Sequence, residues 1–160
     1  MTDPYLTADA ETRAQARALI NTARHGALAV LKPGSLTPSI SRIALATDAQ
    51  GMPISLISSL AAHTAALETT PACALLIGEP GGKGDPLTHP RLTLHCTARQ
   101  VLRDTSEHDT LRARYLALRP KAGLYADFGD FRFVHFIVTD GLLNAGFGRA
   151  VRLSAKDLAA

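Results

Sequence analysis

Cysteine is scarce in this sequence, and so is every short pattern that would assign a chemistry directly. The two thiols, Cys73 and Cys96, lie in apolar stretches and share no CxxC spacing. They therefore read as buried structural thiols, outside any disulfide framework or thiolate metal site. No apolar run approaches the roughly 20 residues that cross a bilayer, and the polar start, with Asp3, Asp9 and Glu11, is the opposite of a signal peptide. The expectation is a cytoplasmic chain with no membrane partner. Formal charge is only +3, and the basic residues are scattered without clustering or aromatic interleaving, so no nucleic-acid partner is expected. GxSxG, HExxH, a P-loop and a helix-opening GxGxxG are all missing. The glycine-rich stretch Gly81–Gly84 lacks the Ser/Thr and helix that would make it a phosphate loop. The six histidines fall at no usual metal-ligand spacing, so no metal site is expected.

What remains is an ordinary globular composition, 46% hydrophobic and 19% charged over 160 residues, without internal repeats. That length suffices for one domain, residues 1–160, with a core of its own. Thr7 to Ala23 has helical spacing, with Thr7 or Asp9 as cap, and Arg24-His25-Gly26 ends it. Ala27–Leu31 is a short apolar run before the Lys32–Ser35 loop. Ser39–Thr47 and Ile54–Ser58 read as a hairpin around Asp48–Gly51. Ala61–Glu68 is helical, Ala72–Ile77 a buried strand, and Glu79–Pro90 a long loop. Arg91–Val101 alternates most cleanly, with Leu92, Leu94, Cys96 and Ala98 on one face. A second long helix follows, with Asp104 and Glu107 in capping-box positions. Phe131–Val138 is a strand, Asp140-Gly141 a tight turn, and Leu142–Ala145 pairs back before the Gly146–Gly148 kink. The order predicts a mostly β protein with flanking helices (α+β), a six- to seven-stranded antiparallel barrel.

Candidate site residues gather at strand ends. Arg42 sits mid-strand on the face of Ile40 and Ala44, where it either snorkels to solvent, pairs with Asp48 or faces an anion, for which its planar fork of donors is suited. Ser58, Ser59, His63 and Thr64 cluster where a strand becomes a helix. Small hydroxyls and free N–H groups there make either an anion site or a simple N-cap. Arg91 opens a strand whose polar face carries Thr93, His95 and Thr97, a face more often solvated than liganded. His135 shares a strand face with Phe131, Phe133 and Ile137 and reads as a core or interface histidine.

Several of these segments together resemble a known group. Ser41–Thr47, Gly51-Met52-Pro53 and Ser58–Thr64 are similar to the pyridoxamine phosphate oxidase-like superfamily of FMN-binding split barrels. Within it the chain most resembles the haem-utilisation branch. That likeness rests on Ser59–Thr64 with Leu67 and Pro71, Arg91–Leu94, Arg114-Tyr115-Leu116 with Pro120, Phe128–Phe131 and Gly146–Ala150. The likeness spans roughly residues 14 to 150. It implies a homodimer of split barrels with cofactor sites at the subunit interface. Arg42 would match the strand arginine that binds the FMN phosphate, and Ser58 and Ser59 the small polar residues of the next strand. His63 stands where the family usually has Lys, with Thr64 beside it. Arg91 would approach the flavin, and the segment carrying Phe147 and Arg149 would bring backbone and a cation near it. With no Trp, and ending at Ala160, the chain does not match the substrate segment of the vitamin B6 oxidases. The same comparison implies a short form without the C-terminal domain of haem-degrading members.

The resemblance thus implies an FMN-dependent oxidoreductase acting on a small-molecule substrate, in which the flavin supplies the redox chemistry. No residue stands out as a catalytic acid or base. The alternative is a protein that binds haem without turning it over, with His95, His89 or His135 as axial ligand. A deazaflavin-dependent reductase is a third reading.

Overall fold

The computed structural model describes residues 3–159. Its chain order is β1 (Leu6–Thr7), α1 (Ala10–Thr22), β2 (His25–Leu31), β3 (Pro38–Ala44), β4 (Ala46–Thr47), β5 (Pro53–Ser58), α2 (Ala62–Thr69) and β6 (Ala72–Ile77). There follow β7 (Arg91–Gln100), α3 (Ser106–Leu118), β8 (Phe131–Asn144), β9 (Ala150–Ser154) and α4 (Ala155–Leu158), with 3-10 turns at Pro86–Thr88 and Pro120–Leu124. The α+β class is as expected. The sheet holds nine strands among the described residues, not six or seven, because β1, β4 and β9 are too short or too polar to read from alternation.

One path runs β1-β9-β8-β7-β6-β2-β3, antiparallel except for the β1–β9 pair. It forks at β8, whose first half pairs with β5 and whose last residues pair with β9, while β7 lies along its other edge. A long strand shared by two partners opens the sheet in the way a split barrel requires. Here the expected turn at Asp140-Gly141 is overturned, since both residues lie inside the 14-residue β8. Gly141 serves close approach instead: a Cβ there would meet Leu158 Cδ1 at 3.1 Å and the Thr93 carbonyl at 3.2 Å.

Other boundaries shift for local reasons. Thr7 belongs to β1, and Asp9 caps α1 in a reciprocal box with Thr12. His25 and Gly26 begin β2 and do not close the helix. The expected Ser39–Thr47 strand breaks at Leu45: β3 pairs with β2, and only β4 forms the hairpin with β5. Helix α3 is capped by the Thr105 hydroxyl, while Asp104 takes a left-handed φ of 59° that no capping residue adopts.

Two cores result. The larger is built from inward residues of β2, β6, β7 and β8 with Ala16 and Ile20 of α1; Leu28, Leu75, Leu92, Leu94 and Phe136 are fully buried. The smaller lies under α3, where Tyr115 meets Phe133 edge-on at 5.5 Å. His135, expected in a core or interface, is buried between them. Its Nε2 lies 3.1 Å from Asp48 Oδ2, and Arg99 donates to its Nδ1 at 2.9 Å. Since Arg only donates, Nδ1 is the acceptor in that contact and Nε2 faces the Asp48 carboxylate; Glu107 Oε1 lies 3.4 Å from Nδ1 as well. Cys73 and Cys96 are cross-strand neighbours in the larger core, and burial pushes both thiols up, Cys73 to about 11. They are structural, as expected.

Candidate functional site

Arg42 and Arg91 meet in one cleft of about 280 Å3 at the end of β2, β3 and β6, walled by His25, Ala27, Leu76, Glu79 and the 86–89 turn. Its shape follows from small residues. Ala27 stands in register between Arg42 on one side and Leu76 on the other, so nothing tall separates them. Gly78, at φ 101°, lets the end of β6 run against the start of β7: a Cβ there would lie 2.5 Å from the Pro90 carbonyl and 2.9 Å from Arg91 Cα. That approach carries Arg91 into the cleft, where its Nη1 donates to the Leu87 carbonyl at 2.9 Å. Arg42 is exposed and, among the described residues, makes no ion pair or hydrogen bond. The expected alternative partner, Asp48, is committed to the amides of Gln50 and Met52 and to His135.

Ser58, His63 and Thr64 gather elsewhere, on the opposite face of β3. Ser41 lies 3.1 Å from His63 Nδ1, the Thr64 hydroxyl donates to the Ser58 carbonyl at 2.5 Å, and the Ser58 hydroxyl donates to Asp130 Oδ2 at 2.6 Å. The Ser59 amide donates to the Asp130 carbonyl at 2.7 Å. Neither serine caps α2, whose N-cap Ala61 has no side-chain bond. His63 Nε2 is buried without a partner, and burial holds this imidazole below the usual histidine range. Phe147 and Arg149 lie in the exposed Gly146–Arg149 turn between β8 and β9, and neither lines the cleft. The eight sequence candidates therefore split: two arginines in the cleft, three residues in the corner with Ser59 on its exposed rim, and two on a separate loop.

Beyond the cleft, the outer face of β3, β2, β6 and β7 continues as a carpet of small and apolar side chains. Row by row it carries Arg42-Ala27-Leu76-Thr93 and then Ile40-Ala29-Ala74-His95, the last paired with Asp140 of β8. His95 donates from Nδ1 to Asp140 Oδ1 at 2.6 Å, and about half of its side chain is exposed. The other two histidines considered as ligands are occupied. His135 is enclosed as described. His89 accepts from the Gly81 amide on Nδ1 at 3.1 Å and has Nε2 2.8 Å from the Lys83 carbonyl, which pins the glycine-rich loop. Sequence reasoning missed His25, Gly78, Asp130 as a partner of Ser58, and Asp140. Their partners are remote in sequence, and no local spacing signals such pairs.

No family model matches the chain. A solved chain of the same extent is 43% identical and superposes with a TM-score of 0.87, covering 97% of this chain and 99% of that one; the two belong to one protein family. A haem-binding protein from Mycobacterium smegmatis shares the fold at 24% identity and a TM-score of 0.83, covering 94% of this chain and 61% of its own. The non-canonical heme oxygenase HOZ, chloroplastic, of Arabidopsis thaliana is 44% identical over 99 residues, 61% of this chain and 28% of that protein. This chain thus matches under a third of the length of its curated relative. Among the described residues, no helix is long and apolar enough to cross a membrane.

Proposed function

We propose that the protein binds haem on the outer face of its sheet, within the haem-utilisation branch of the split-barrel superfamily. The observation that carries this reading is the pair Arg42 and Arg91 in one cleft at the edge of a flat carpet formed by Ala27, Ala29, Ala74 and Leu76. A planar apolar macrocycle with two carboxylates matches that surface. The carpet takes the ring, and guanidinium forks take the carboxylates. When bound, haem would supply iron redox and ligand chemistry; the residues named here bind and orient it. The names of the Mycobacterium and Arabidopsis relatives favour haem over the flavin chemistry that the sequence resemblance put first.

A second copy of the chain covers this face in the same reading. Ile40, Leu76 and Ile137 leave apolar area exposed on it, which a two-fold partner presenting the same patch would bury. Titration with hemin, followed in the Soret region, tests the proposal. Arg42→Ala and Arg91→Ala should each weaken binding about ten- to hundredfold, the worth of a charged hydrogen bond of about 1.5–3 kcal/mol. Unchanged affinity in the double variant overturns it.

FMN is the second reading, as cofactor of an oxidoreductase. The unpartnered Arg42 guanidinium beside Arg91 suits a phosphate as well as a carboxylate. An absorbance peak near roughly 450 nm, retained through gel filtration after FMN is added and lost in Arg42→Ala, would put this reading first.

A further inference from the structure

Within the haem reading, we infer that His95 is the side chain that ligates the iron, and that Asp140 is its positioning residue. The inference starts from an irregularity in the β7–β8 ladder. The register shifts between His95 and Cys96, so that Cys96 faces Val138 while His95 faces Asp140, and Thr139 is the extra residue. Without this bulge, His95 would lie opposite Thr139. Bulges re-aim side chains, and this one sets a carboxylate beside an imidazole on the outer face.

The consequence is a defined tautomer. The carboxylate Oδ1 accepts the Nδ1 proton at 2.6 Å, and the Thr139 hydroxyl lies 3.2 Å from Oδ2. In the neutral ring the Nε2 lone pair is left free, and a carboxylate behind Nδ1 fixes the ring's orientation, the arrangement by which proteins orient metal-binding histidines. Proximal histidine is an established way to hold haem iron.

No other histidine offers this. His89 and His135 have both nitrogens engaged. His63 lies in the corner on the other face, with Nε2 buried. His108 is buried on α3 against Phe133. His25 lines the cleft, but its Nδ1 lies 3.7 Å from Glu79 Oε1, beyond hydrogen-bond range, so no carboxylate fixes its ring.

Position agrees as well. Arg91 lies four residues from His95 on the same face of β7, and Arg42 lies three strands away. Arg42 stands in register with Thr93, so with about 4.8 Å between strands and about 3.4 Å per residue Arg91 originates roughly 14 Å and Arg42 roughly 16 Å from His95. The ligating nitrogen thus stands at the β7 border of the carpet, and the guanidiniums at its end beside the cleft. Ala74 and Ala29, next to His95 across the sheet, keep the approach to Nε2 low.

Two measurements test the assignment. Long-range 1H–15N NMR of the ligand-free protein should find the His95 proton on Nδ1, and Asp140→Asn should lose that bias. Hemin titrations of His95→Ala and His95→Gln should lose the histidine-ligated Soret position and the iron–histidine Raman band, with thermal melting unchanged because His95 belongs to neither core. Asp140→Asn should keep ligation and lower the iron–histidine stretching frequency. A wild-type spectrum retained in both His95 variants, or a ring protonated on Nε2, overturns the assignment and leaves haem binding standing. Absence of any hemin binding by the wild type overturns both.

Discussion

Ser41 and Arg42 are neighbours in β3 and point to opposite faces of the sheet, and the two polar groups they belong to are built differently. On the Ser41 side, nearly every polar atom is spoken for: Ser58 bonds Asp130, Thr64 bonds Ser58, and Ser41 meets His63. On the Arg42 side, the guanidinium has no partner among the described residues, one nitrogen of His95 makes no hydrogen bond to them, and the intervening residues are half-buried alanines and the exposed Leu76. A closed set of hydrogen bonds holds a strand end to a helix and has little left to offer a ligand. An open set next to a flat apolar surface contributes little to stability and is available for recognition. Residue type alone would have ranked the two alike.

If that contrast is right, substitutions on the closed side should change stability, and those on the open side should change binding. The largest stability effect lies apart from both polar sets, in the core under α3. Phe133, fully buried between β5, β7 and α3, should cost about 3–5 kcal/mol as Phe133→Ala in urea unfolding. Asp130→Ala, which removes the acceptor of the Ser58 hydroxyl, should cost about 1–3 kcal/mol, with hemin affinity little changed. On the open side, Arg42→Ala should leave the melting temperature unchanged while weakening hemin binding about ten- to hundredfold. Equal loss of stability and binding in both variants would erase the distinction. Leu76→Glu puts a charge on the carpet and should abolish the proposed two-fold pairing, read as a monomer in light scattering, without unfolding the chain.

The smallest effect is in the acid limb of stability. Ser154 caps α4 in a reciprocal box with Asp157, and the Ser154 hydroxyl, then Arg13 donating at 2.7 Å, hold the Asp157 carboxyl down at about 2. Arg99 likewise holds Glu107 below the usual range, and the Thr12 amide does so for Asp9. A carboxyl depressed by folding contributes stability above its unfolded pKa and loses it as pH falls through the folded value. Stability should therefore drop from about pH 4 toward pH 2, and Asp157→Asn should flatten part of that drop in pH-dependent melting.

Much of this was legible in the chain. The alternation of Arg91–Val101 gave β7 within a residue, and its inward face Leu92, Leu94 and Cys96 is buried as read. Arg42 and Arg91 were both marked by their positions on strands, and the fold places them in one cleft. Asp140-Gly141 misled because a carboxylate followed by glycine is also what a turn looks like; only pairing with both β7 and β9 shows it to be strand. Phe147 and Arg149 were marked by a short motif, and their loop does not line this cleft.

The sequence by itself determined the class of fold, the inward faces of its longer strands and the residue types available for recognition, because period-two burial and helix caps are local properties. Which of those residues share a site was decided by the tertiary structure alone. Arg42 and Arg91 are joined only when β2 and β6 lie between β3 and β7, and His95 meets Asp140 only because one extra residue in β8 shifts the ladder. Pairings across 45 to 49 positions depend on strand register, and register is fixed by the packing of the whole sheet.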